Sequence, residues 1–261
     1  MYLLNYTPIT NGSRFKKRIT SYGSLKKKFY PLTTHLKKNS GRNIKGFITV
    51  RGRGCKLKKN FINLDCRRTW SNDFAVCVDF VKTSNRSSLL ALIKYSNGTF
   101  SYILASGALK LGSYTFTTIN PVKFMKIRKF SCCNILLKFV KYSYTIFNVE
   151  PFLNIGGKYA KSAGVFCKII NIDLLNKFIK IKLPSGKYKF VSIFCFASLG
   201  RVSNMWHYKE HFSNAGYYRN IGFRPKTRGV AKNPVDHPHG GRTKTNSPTL
   251  TPWGKIAKRG K

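Results

Sequence analysis

"LLALIKYSNGTFSYIL", Leu89 to Leu104, decides how this sequence folds. Two apolar, β-rich runs flank Asn97-Gly98, a pair that favours the tight reversal between antiparallel strands. "FIKIKLPSGKYKFVSIF", Phe178 to Phe194, repeats the theme around Pro184-Ser185-Gly186. There Lys180 and Lys182 alternate with Ile179, Ile181 and Leu183, so a strand of period two shows one basic face and one packing face. Short strands with Gly, Asn and Pro turns, and weak helical periodicity throughout, predict a mainly β chain of small barrels or a sandwich.

Outward from these hairpins the composition changes. The first acidic residue is Asp65. Before it lie basic clusters at Arg14–Arg18, Lys26–Lys28 and Lys37–Lys38 with few apolar residues between them, a segment expected to order only on a partner. An organelle transit peptide is a second reading of the same composition. After Leu199 the strand pattern fades into a tail rich in Arg, Lys, Gly, Pro, Asn and aromatics, which takes its shape from what it touches. The plan is a basic arm, two β modules and a basic tail.

Charge narrows the partner. Lys and Arg number 49 against 7 Asp and Glu, a formal net charge of +42 over 261 residues. Internal salt bridges cannot neutralise such a chain, and a polyanion relieves its self-repulsion. Because the basic residues are spread throughout, nucleic acid fits better than anionic lipid. Cys55, Cys66, Cys77, Cys132, Cys133, Cys167 and Cys195 are odd in number, show no CxxC pair and mostly sit in apolar runs. They read as small core fillers in a reducing compartment. No apolar run approaches the roughly 18 residues that span a bilayer.

Four segments carry candidate chemistry. "HYKEH" (His207–His211) has the H-x-x-E-H spacing of zinc peptidases, which needs a helix to bring His207 and His211 together with Glu210 as base. Its flanks do not make a long helix and no third ligand is evident, so a solvated or RNA-facing segment is the better reading. "VDHPHGG" (Val235–Gly241) holds Asp236, His237 and His239. Pro238 between the histidines disfavours a metal-binding strand, and no nucleophile elbow accompanies them. Pro234, Pro238 and Gly240-Gly241 describe instead a rigid loop whose backbone can come close to phosphate or ribose, with RNA contact favoured over metal or acid–base chemistry. Arg51-Gly52-Arg53-Gly54 suits tracking of an RNA backbone. "IGGKYAKSAG" (Ile155–Gly164) pairs glycines with Lys158 and Lys161, either for RNA contact or as an ordinary surface loop.

"RGVAKNPVDHPHGG" (Arg228–Gly241) followed by "TPWGK" (Thr251–Lys255) resembles the signature of the large-subunit ribosomal protein two family in its bacterial-type form. The resemblance extends through "NRS" (Asn85–Ser87), "YILA" (Tyr102–Ala105), "NVE" (Asn148–Glu150), "GGKYAKSAG", "SLG" (Ser198–Gly200) and the opening "YTPITNGSRFKKRIT", covering nearly the whole chain. It implies a basic N-terminal extension over 1–45 and an oligonucleotide-binding-type barrel over 46–119. A Src-homology-3-like barrel over 120–198 and a basic irregular extension over 199–261 complete it. It implies a primary rRNA-binding protein, not an enzyme, that supports the peptidyl-transferase centre, subunit association and tRNA placement. The rRNA-binding residues expected from motif and resemblance together are Arg51, Arg53, Arg86, Lys158, Lys161, Arg224, Arg228, Lys232, Asn233, Asp236, His237, His239, Gly240, Gly241, Arg242 and Trp253. The family points to His237 for peptide-bond formation; chemistry there belongs to the rRNA, which leaves His237 as a support residue.

The chain departs from the family pattern in three places. Arg242-Thr243-Lys244 directly follows the HPHGG element, the tail beyond TPWG is short, and "RGRGC" replaces a His/Gly-rich stretch. Implied partners are large-subunit rRNA, other large-subunit proteins and the small subunit through an inter-subunit bridge, with no membrane span. No cofactor is expected beyond magnesium or potassium shared with rRNA. Lys outnumbers Arg 34 to 15, and Phe, Ile, Tyr and Asn are frequent, as from an AT-rich genome. Together with a start near that of the family's mature sequence, this leads to an organelle-encoded, mitochondrial protein, with a plastid or a small bacterium as the lesser readings. The competing functions are a zinc hydrolase using HYKEH and a free RNA chaperone.

Overall fold

The computed structural model describes residues 2–20, 29–35, 39–54, 60–68, 73–83, 85–118, 132–142, 144–243 and 248–257. Lys26–Lys28, Lys37–Lys38, Cys55 and Lys244 lie outside the described residues. The chain forms two compact units, one of residues 1–36 and 58–214, the other of residues 37–57 and 215–261.

The first unit is mainly β, as expected. Its ten-stranded sheet comprises β5 (Phe74–Lys82), β6 (Leu89–Tyr95), β7 (Phe100–Leu104), β8 (Tyr114–Thr118), β9 (Asn134–Leu136), β10 (Thr145–Phe147), β11 (Cys167–Asp173), β12 (Phe178–Lys182), β13 (Tyr188–Ser192) and β14 (Phe196–Leu199). The order is β13-β12-β11-β10-β14-β9-β8-β5-β6-β7. Neighbours run antiparallel except β8 and β9, which are parallel through Thr117↔Asn134 and Thr118↔Ile135.

Both deciding stretches are hairpins with one turn geometry. Lys94 pairs Phe100 across β6 and β7; then Tyr95 N–H donates to Thr99 O (2.9 Å) and Gly98 N–H to Tyr95 O (3.0 Å). In the second, Lys182 pairs Tyr188, Leu183 N–H donates to Lys187 O (2.9 Å) and Gly186 N–H to Leu183 O (2.9 Å). Each turn therefore has three residues and ends on a glycine at positive φ, +82° for Gly98 and +86° for Gly186. That is a type I turn closed by a left-handed residue, with Pro184 supplying the φ its first position needs. Asn97 does not take positive φ; its Oδ1 instead accepts from Thr99 N–H (3.0 Å) and Oγ1–H (2.7 Å).

Two apolar cores organise the strands into two successive barrel modules. One gathers Cys77, Phe80, Leu90, Ile93, Tyr102, Ile103 and Leu104 from β5–β7, the other Ile135, Ile146, Cys167, Ile179, Ile181, Val191 and Ala197 from β9–β14. Register shifts in β5 between Cys77 and Asp79, and in β11 between Ile169 and Asn171, leave Val78 and Ile170 exposed. Bulges of this kind increase local twist and let a short strand bend around a small core. The buried cysteines fill space: burial pushes the Cys77 and Cys133 thiols up to about 12 and those of Cys167 and Cys195 to about 11. Cys66 is half-buried, with Lys161 Nζ 3.7 Å from its sulfur.

Parts of the basic N-terminal stretch, expected to order only on a partner, pair within the chain itself. β1 (Tyr2–Asn5) and β2 (Lys17–Thr20) form an antiparallel pair, and Lys17 exchanges backbone hydrogen bonds with His211 (3.1 Å each). β3 (Thr33–His35) pairs β4 (Asn60–Ile62). Among the described residues no helix is long and apolar enough to cross a membrane.

Candidate nucleic-acid interface

In the second unit a short helix, α1 (Ala215–Ile221), fixes the start of the loop system. Phe223 N–H donates to Tyr218 O (2.9 Å) and Gly222 N–H to Arg219 O (3.0 Å), the paired bonds that close a helix at a glycine. The chain leaves it extended and pairs with the RGRG segment: Gly54 N–H donates to Gly222 O (3.2 Å) and Arg224 N–H to Gly52 O (2.8 Å). This ladder brings Arg51, Arg53 and Arg224 together. Arg53 lies over the Phe223 ring, 4.0 Å from its centroid, and Arg51 over Trp253 at 4.6 Å. A guanidinium held on a ring keeps its N–H groups in plane and free to fork onto phosphate.

Trp253 stands in a turn of the kind seen in the hairpins. Thr251 N–H donates to Lys255 O (2.6 Å) and Gly254 N–H to Thr251 O (3.0 Å), so Pro252-Trp253-Gly254 occupy the positions of Pro184-Ser185-Gly186. Trp253 as a whole is 72% exposed.

The Arg228–Gly241 loop is built around its two histidines, both buried. Asp236 and His237 N–H groups converge on Asn233 O at 2.9 and 3.2 Å, and Gly240 N–H donates to His237 O (2.9 Å). His239 N–H donates to His237 Nδ1 (3.1 Å), and Leu250 N–H donates to His239 Nε2 (2.9 Å). A backbone amide can only donate, so these ring nitrogens are bare and His237 carries its proton on Nε2. Burial, then His239, Lys232 and Arg51, hold the His237 pKa below its ordinary value. A neutral imidazole wedged in this way is a hydrogen-bond donor and a spacer, poorly suited to shuttling protons. The close approach permitted by glycine is here made by the chain itself: a Cβ on Gly240 would lie 2.4 Å from Asn233 C, and one on Gly229 would lie 2.6 Å from the His237 ring. Arg224, Arg228, Asn233, Asp236, Gly241 and Arg242 remain exposed around this plug, with Lys232 half-buried.

Arg86, Lys158 and Lys161 belong to the first unit. Ser87 Oγ accepts from Ala163 N–H (3.2 Å), and Ser87 O accepts from Asn204 Nδ2 (2.7 Å), so the loop carrying half-buried Arg86 is tied to the loop carrying Lys161. Buried Glu150 anchors the glycine end of the Lys158 loop, its two oxygens accepting from Gly156 N–H and Phe196 N–H at 3.1 Å each. Desolvation raises the Glu150 pKa despite these bonds. Asn204, in a left-handed conformation at φ +64°, and Phe223 were not expected from sequence. Asparagine's tolerance of that conformation is the one local signal for the first, and none exists for the second.

HYKEH does not form the zinc peptidase arrangement. Met205–Lys209 is a 3-10 helix, Glu210 is already extended (φ −70°, ψ 121°), and His211 is paired along β2. Glu210 is occupied by His207 Nδ1 at 3.2 Å and Lys82 Nζ at 3.5 Å. Among the described residues no group of three or more His, Cys, Asp or Glu converges as a metal site would require.

Two small barrels, an excess of 49 basic over 7 acidic residues, and arginines stacked on rings beside an ordered glycine-proline loop define the class, a basic RNA-binding β protein. The particular family follows from comparison. Residues 30–117 match the model of the ribosomal proteins L2 RNA-binding N-terminal domain, and residues 132–254 match that of the ribosomal proteins L2 C-terminal domain. The large ribosomal subunit protein uL2 of Rickettsia canadensis is 36% identical over 97% of this chain and 92% of its own. The protein of the same name from Rickettsia typhi is 35% identical over 99% and 93%, and that from Paracoccus denitrificans 36% identical over 99% and 91%. The chain belongs to the ribosomal protein L2 family and is a structural ribosomal protein, not an enzyme.

Proposed function

We propose that this protein anchors large-subunit rRNA around the peptidyl-transferase centre, supporting tRNA placement and subunit association in mitochondrial translation. The observation that carries the proposal is the Arg228–Gly241 loop, whose inward histidines fix a shape while Arg228 and Asn233 stay outside. The sixteen residues named from sequence are proposed as the rRNA-binding set: buried His237 and His239 and close-packed Gly240 hold the loop's shape from within, the exposed loop residues meet the RNA, and Arg51, Arg53 and Trp253 act by stacking and charge. His237 supports and does not catalyse. Magnesium or potassium shared with rRNA, other large-subunit proteins, and an inter-subunit bridge complete the proposed environment. Alphaproteobacterial relatives and the preference for Lys over Arg, 34 to 15, support the mitochondrial placement.

The test is sedimentation of organelle lysate through a magnesium-containing sucrose gradient, with and without ribonuclease. The protein should co-migrate with large-subunit rRNA and leave that fraction after ribonuclease. Migration as a small free species in both samples would overturn the proposal and favour the free chaperone.

A further inference from the structure

The β12–β13 hairpin carries a face that its own barrel does not use. Ile179, Ile181 and Val191 point inward and are buried, which accounts for the packing. On the other face Phe178, Tyr188 and Phe190 are 49%, 52% and 68% exposed. Lys180 lies opposite Phe190 and Lys182 opposite Tyr188 across the ladder. Lys180 Nζ sits 5.1 Å from the Tyr188 centroid and 5.7 Å from that of Phe190, and Lys182 Nζ 5.9 Å from Tyr188. Among the described residues β13 ends the sheet order, so the face lies at an edge. Between Phe178 and Phe194 there is no acidic residue. Asp173, which pairs Phe178 across the sheet, is turned into its own loop by Asn176 N–H (3.1 Å) and Nδ2 (2.7 Å).

We propose that this face is a stacking surface for unpaired RNA nucleotides, with Tyr188 and Phe190 taking bases and Lys180 and Lys182 their phosphates. The proposal rests on the RNA-binding reading above and extends it to a surface outside the residues named there. Rings alone would suit an apolar protein neighbour. Rings interleaved with cations, with no carboxylate on the hairpin, are complementary to a polyanion that carries its own π faces. Only unpaired nucleotides expose those faces, since a duplex buries them in its stack.

The experiment uses the purified full chain with a fluorescein-labelled oligouridylate containing 4-thiouridine. Ultraviolet crosslinking followed by mass spectrometry should label the Tyr188–Phe190 peptide, and the Y188L/F190L variant should lose that label while keeping apolar bulk and its thermal midpoint. Base stacking contributes about 1–3 kcal/mol per base, so anisotropy should show this variant binding roughly fivefold or more weakly, with an unchanged slope of log K against log salt. K180Q/K182Q should lower that slope by about 1.4, the single-strand value for two phosphates. RNA crosslinked elsewhere with this hairpin unlabelled would overturn the stacking surface and leave general RNA binding intact. No crosslink and no salt-sensitive binding at all would overturn both.

Discussion

At the scale of single residues, glycines separate into those that serve a turn and those that serve an approach. Gly186 takes φ +86° with nothing within 4 Å of an added Cβ, so Gly186→Ala meets only backbone strain, about 1–2 kcal/mol. Gly240 is the opposite case, because an added Cβ would strike Asn233 backbone. Gly240→Val should therefore displace the Asn233–His237 turn, destabilising the second unit by about 1–3 kcal/mol and weakening rRNA binding. Limited proteolysis should cut the Arg228–Gly241 segment faster in that variant than in Gly186→Ala; equal rates would show that the loop absorbs the clash. The importance of this loop was legible from its residues, but the reason was not. Sequence showed glycines fit for approach by RNA, whereas the atoms they admit are the chain's own.

At the scale of elements, what was legible is what is local. Both hairpins were readable because a period-two pattern and a turn lie within one short window. The same window rule applied to "TPWGK" would have found the turn that displays Trp253, since Pro-x-Gly-Lys repeats the Pro184–Lys187 pattern. The Arg51–Trp253 and Arg53–Phe223 stacks and the α1 helix, short and flanked by loops, had no such window. Pairing between distant segments is decided by tertiary packing that no short stretch encodes. For β12 the pattern has a direct energetic meaning, since Ile179 and Ile181 are fully buried. Ile181→Ala should cost about 2–5 kcal/mol in urea unfolding, whereas Lys180→Ala, on the outer face, should stay within about 0.5 kcal/mol. Similar losses for the two would mean that the alternation does not set the packing.

At the scale of the whole molecule, the +42 charge gives stability and binding opposite salt responses. Salt screens the repulsion among the Lys and Arg residues, so the thermal midpoint of the free protein should rise as salt increases. The same salt competes for phosphates, and rRNA affinity should fall on the order of 10³-fold between 50 and 200 mM for about six phosphate contacts. Calorimetry and filter binding on one preparation check both; a midpoint that falls together with affinity would mean that specific ion pairs, and not net repulsion, govern the fold.

The parallel seam between β8 and β9 also orders events in time. As the chain leaves the ribosome that makes it, β5 through β8 emerge before β9, and β8 has only β5 to pair with until Asn134–Leu136 arrives. The first module thus waits with an open edge, a surface that could capture a strand from another nascent copy. Covering that edge is a service the second module performs for the first.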